Sequence, residues 1–156
     1  MSQGIASNAD AELILKLYEL RTETVMRQAR AWVTVEFWPA TAEEFFVVQN
    51  DFGSQKNAWL RQVVSYWEMA ASLVLHGALS ADLFVDCNME PFYILAKLSP
   101  ILPDIHAKAP TYFSKTLQLI DNNQAAAGRY EAMKKNAEAR RSARGAEWLH
   151  QPKVSV

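Results

Sequence analysis

Apolar residues recur along this chain at steps of three and four, the repeat that puts them on one face of an α-helix, and no Asn-Gly or Asp-Gly hairpin with alternating flanks occurs. Asn8 stands as an N-cap ahead of Ala9, Asp10 and Glu12, where acidic groups offset the helix dipole. The stripe Ile14, Tyr18, Val25, Ala29 and Trp32 then predicts one long helix, ended where Pro39 disfavours helical geometry at Trp38. Thr41-Ala42-Glu43-Glu44 reads as a capping box that opens a short helix burying Phe45, Phe46 and Val48, before Asn50-Asp51-Phe52-Gly53 turns the chain. Ser54 caps the strongest periodic segment, with Trp59, Leu60, Val63, Val64, Trp67, Ala70, Ala71 and Val74 on one stripe and Gly77 placed as its C′ residue.

Ser80 and Asp82 predict a further short helix through Leu83, Phe84 and Val85, and Pro91 suits the first turn of another that reaches Leu98. Pro100, Pro103 and Pro110 make the next segment broken or irregular. Helix resumes from Thr111 through Leu117 and Ile120 and either runs on past Asp121-Asn122-Asn123 or breaks there. Beyond Tyr130 the large apolar residues thin to Met133 while Lys134, Lys135, Arg140, Arg141 and Arg144 accumulate. That end has helix propensity without a core-facing stripe, so it is expected to project into solvent or to dock on a second subunit, with Trp148 and Leu149 as anchors. The expected architecture is an all-α, single-domain bundle of five to six helices with a long C-terminal helix: a lead over 1–8, a core over 9–128, and a basic helix and tail over 129–156.

Half of the 156 residues are hydrophobic and 21% are charged, a balance that supports a packed core. One cysteine, Cys87, excludes an intramolecular disulfide framework, and it is expected to be a small buried hydrophobe rather than a nucleophile. No apolar run reaches the length of a membrane span and the N-terminus has no signal-peptide pattern, so a cytoplasmic protein is expected. The net charge of −1 conceals a polarity: residues 1–90 hold 6 Lys/Arg against 12 Asp/Glu, and residues 91–156 hold 10 against 5. Such a division suits head-to-tail self-association or an anionic partner, and equally a simple sorting of solvated charge.

Among residues that could carry chemistry, Glu68 falls on the row Leu60, Val64, Ala71, Leu75, and Glu36 extends the row Val25, Ala29, Trp32. Two carboxylates facing a helical core would suit a metal site or a general acid/base pair, with His76 near the first; the plainer role is partial burial, or pairing with Arg21 or Arg61 or with the donors of a neighbouring helix end. The Glu-x-x-His repeats of dimetal helical sites are absent, and His76, His106 and His150 lie far apart, so neither a metal nor a cofactor is expected. No phosphate-binding loop or nucleophile elbow occurs.

The string Trp67-Glu68, the apolar helix that ends at Gly77, the sequel Leu79-Ser80-Ala81-Asp82-Leu83-Phe84, and Phe92-Tyr93-Ile94-Leu95 followed by Leu98 and Pro100-Ile101 resemble the DUF4760-like group of small bacterial helical proteins, over roughly residues 10–120. The resemblance implies helical architecture and carries no activity. The leading expectation is therefore a module for protein interaction and self-association. Two others stand beside it: an anionic partner, nucleic acid or acidic lipid, held by Lys134, Lys135, Arg140, Arg141, Arg144 and Trp148, and a ligand or enzymatic site around Glu68, Glu36 and His76.

Overall fold

The computed structural model describes residues 5–148, with side chains as far as Arg144. The anchors expected at Trp148 and Leu149 lie outside the described side chains. Within those limits the chain is helical without strands. α1 (Asn8–Arg21) and α2 (Thr24–Ala31) lead into a π-helical turn, π1 (Trp32–Glu36), followed by α3 (Ala42–Gln49), α4 (Gln55–Leu75), α5 (Ala81–Cys87), α6 (Glu90–Leu98), α7 (Leu102–Lys108), α8 (Ser114–Asn122) and α9 (Gln124–Trp148). This is more than the five to six helices expected, because local capping chemistry cuts segments that hydrophobic periodicity alone reads as continuous.

The long first helix is the clearest correction. The Thr22 hydroxyl and N–H both turn back to the Glu19 carbonyl, and the Glu23 carboxylate accepts the Met26 N–H at 3.0 Å, so one helix stops and another starts within two residues. The bend lets Leu17 and Met26 enter the same core while Tyr18 and Val25, members of the expected stripe, stay exposed. The N-cap is Ser7 rather than Asn8, in a capping box with Asp10. Pro103 opens α7 inside the segment expected to be irregular, and Asn123 breaks α8 from α9, its side chain accepting the Ala126 N–H at 2.9 Å.

Elsewhere the caps fall where the residues place them. Thr41, Ser54 and Ser80 each accept the N–H three residues on. Gly77, at φ 74°, ends α4 in a Schellman motif in which Gly77 N–H reaches the Val74 carbonyl and Ala78 N–H the Leu73 carbonyl.

α4 is the hub. Leu60, Val63, Trp67 and Ala70 are almost fully buried, and α2, α3 and α8 pack around it. α6 is sheathed on all sides, every residue from Pro91 to Leu98 being buried. It lies between π1 and α9. α9 meets it through Ala137, fully buried against Tyr93 and Ala96, with Tyr130 and Met133 alongside. The basic helix thus docks on its own chain, through small residues that let two helix backbones approach closely.

Candidate functional site

π1 is where an unusual set of side chains gathers, and its sequence explains why. Trp32-Val33-Thr34-Val35-Glu36 places three β-branched residues in succession, which lose rotamer freedom in an α-helix, and the Thr34 hydroxyl donates back to the Arg30 carbonyl at 2.7 Å. The turn widens so that Phe37 N–H reaches the Trp32 carbonyl five residues back, and the two rings stack at 4.8 Å. As at any helix end, the last carbonyls lack intrahelical donors, and the dipole leaves partial negative charge there.

Donors from three other segments supply what is missing. Lys97 of α6, 4% exposed, gives its amine to the carbonyls of Val33 at 2.5 Å and Thr34 at 3.1 Å. The Trp38 indole N–H donates to the Val35 carbonyl at 2.9 Å, and Arg144 of α9 reaches the same oxygen at 3.2 Å. Arg141 donates to the Lys97 carbonyl at 2.8 Å and pairs with Glu138, while Arg140 donates to the Tyr93 hydroxyl at 3.3 Å. Two rings organise these cations: Lys97, Arg141 and Arg144 lie over Trp38 at 4.5, 5.9 and 5.4 Å, and Lys97 and Arg140 over Tyr93 at 5.8 and 5.2 Å.

Burial, and then the positive charges of Arg144, Arg140 and Arg141, push the Lys97 amine down from its ordinary range to about 7.

A cleft of about 330 Å³ opens beside this cluster, between π1, the start of α6 and α9. Thr34, Met89, Glu90, Tyr93, Met133, Asn136 and Arg140 line it. Glu90 does not make the cleft negative. Both its oxygens accept from Arg30, at 2.6–3.0 Å, and Oε1 also accepts the Trp67 indole N–H at 3.0 Å.

The structure does not bring Glu68, Glu36 and His76 together. Glu68 reaches α8, where its carboxylate accepts the N–H groups of Lys115 at 2.9 Å and Thr116 at 3.0 Å and the Thr116 hydroxyl at 2.6 Å. It is a helix cap supplied from a distance, required because Phe113, the local N-cap residue, sits at φ 58° and offers no side-chain acceptor. Glu36 is exposed and shares a surface groove with Trp32, Lys56 and Trp59 near the start of α4. Lys56 and Glu68 are twelve residues apart on that helix, about 18 Å at its ordinary rise. His76 is exposed at the far end of α4, where its backbone N–H caps Ser72 and Val74. Cys87 is exposed rather than buried.

Of the basic patch, Arg140, Arg141 and Arg144 belong to the cluster at π1. Lys134 pairs with Glu131 at 2.6 Å and lies over the Tyr130 ring, and Lys135 is exposed. No group of three or more His, Cys, Asp or Glu side chains among the described residues is placed to hold a metal ion.

Lys97, Trp38 and Tyr93 were not singled out by sequence reasoning. The signal for Lys97 is its position as the one charge inside Pro91-Phe92-Tyr93-Ile94-Leu95-Ala96-Lys97-Leu98, a run apolar on every face and hence buried all round.

The family model described as "Domain of unknown function (DUF4760)" matches residues 6–122, and the chain belongs to that family. The matched span holds π1, Trp38, Tyr93 and Lys97, and ends before α9 with its arginines. No curated protein and no solved structure matches the chain. No helix among the described residues is long and apolar enough to cross a membrane.

Proposed function

We propose that this member of the DUF4760 family is a binding protein that engages an anionic partner at the junction of π1, α6 and α9. One observation carries the reading: Lys97, Arg140, Arg141 and Arg144 gather on Trp38 and Tyr93, four cationic side chains around two rings. Clustered cations of this kind raise the local concentration of anions, and guanidinium groups are suited to carboxylate and phosphate oxygens. The helix-end carbonyls engage Lys97 and Arg144, and Glu138 engages Arg141. Arg140 is exposed, with one long bond to Tyr93, and is the residue with most donors to offer.

Inorganic pyrophosphate is a suitable probe. Titrated into the full chain and followed through the Trp38 indole and Arg140 Nε NMR signals, it is expected to bind, to weaken as salt is raised, and to weaken at least tenfold in Arg140→Gln. Equal affinity in that variant, or no response at low salt, would overturn the reading.

Self-association, the other reading, draws support from α1, where Leu15 and Tyr18 sit one turn apart and are 67% and 57% exposed. Because α9 docks on its own chain, a dimer would use this face instead. Light scattering tests it: a dimer that Leu15→Glu converts to a monomer supports it, and a monomeric parent chain contradicts it.

A further inference from the structure

The cleft beside the cation cluster has two unlike halves, and both have spare binding capacity. Arg140 and Asn136 lie one turn apart on α9 and face the same opening. Arg140 has donated one N–H, to the Tyr93 hydroxyl; that hydroxyl accepts this bond and retains its own proton to donate, and the Asn136 amide makes no hydrogen bond to any described residue. Arg140, Asn136 and Tyr93 therefore bring three groups with donors to the same cleft. The remainder of the wall is Met89, Met133 and Thr34, with Glu90 paired to Arg30 behind it. Thioether side chains are polarisable and unbranched, and they shape themselves to an apolar guest.

We infer that the cleft binds a small amphiphilic monocarboxylate, the carboxylate held by Arg140, Asn136 and Tyr93 and the hydrocarbon body lying between Met89 and Met133. This rests on the anionic reading above and narrows it to a ligand class. A cleft of about 330 Å³ lies at the lower end of the range for small-molecule sites, so a short-chain acid such as octanoate is the probe of choice. A bare anion would leave the methionine half of the cleft wet.

The test uses the full chain with ¹³C-methyl-labelled methionine and three ligands of one body: octanoate, octanol and octylamine. Octanoate is expected to move the Met89 and Met133 methyl signals, with octanol and octylamine at least tenfold weaker. Arg140→Gln is expected to weaken octanoate at least tenfold and Asn136→Ala several-fold. Octanol binding as tightly as octanoate, or octanoate leaving both methyl signals in place, overturns the inference. Pyrophosphate in the same samples separates the two readings. If it binds and octanoate does not, the cleft assignment falls and the anionic reading stands; if neither binds, both fall.

Discussion

Among the helix ends that take a charged side chain from another element, the start of α8 and the end of π1 are completed differently. At the start of α8, Glu68 meets two N–H groups and a hydroxyl, and one negative charge answers the positive end of one helix. At the end of π1, Lys97 meets two carbonyls, but Trp38 and Arg144 add donors of their own, and Arg140 and Arg141 lie close by. The first end is electrostatically closed. The second gathers Arg140, Arg141 and Arg144 around Lys97, where burial and then those three charges depress the amine, and the proposed binding of an anion rests on that gathering of cations.

The largest effect expected from breaking this contrast is at Lys97. Lys97→Met keeps the length of the side chain and leaves the Val33 and Thr34 carbonyls without their donor, and it is expected to cost about 2–4 kcal/mol in urea unfolding at pH 8. At the closed end, Glu68→Leu is expected to cost about 1–3 kcal/mol by orphaning the Thr116 N–H, while Glu68→Gln, which keeps an acceptor, is expected to cost about 1 kcal/mol. A cost for Glu68→Leu near zero would remove the carboxylate's role as a cap.

The pH response sharpens the contrast. Lys97 holds a proton in the unfolded chain up to its ordinary range but releases it near pH 7 in the folded protein. Between about pH 7 and 10 the unfolded state binds the extra proton, so stability rises with pH, by at most about 1.4 kcal/mol per pH unit, and the full penalty of the charged amine is present below that window. Urea midpoints from pH 7 to 9.5 are expected to climb in the parent chain and to stay level in Lys97→Met; parallel profiles would contradict the depressed amine. The smallest expected change in stability, within about 0.5 kcal/mol, belongs to Arg140→Gln, which sits at the rim and alters binding instead.

How much of this was legible in the residues follows the same division. Caps at Thr41, Ser54 and Ser80 and the Gly77 terminus depend on neighbours in sequence, so local chemistry specifies them. The position of Glu68 on a core-facing row was also readable, but its partner lies 47 residues away, and no spacing rule pairs a carboxylate with a helix start at that distance. The docking of α9 was hidden for another reason. Its stripe against α6 is Tyr130, Met133, Ala137 and then arginines, and a sequence of alanines and cations reads as a solvated helix until Ala96 and Tyr93 are known to face it. The two breaks that raised the helix count, at Thr22-Glu23 and at Asn123, come from side-chain hydrogen bonds that compete with the ladder.

The excess of positive charge at π1 is tested most directly by the ¹³Cε signal of Lys97, followed from pH 5 to 11 with and without pyrophosphate. A midpoint near 7 is expected in the free protein, rising when the anion binds, because a negative ligand among Arg140, Arg141 and Arg144 favours the charged amine. A midpoint near 10 in the free protein, or one that pyrophosphate leaves unmoved, would contradict it.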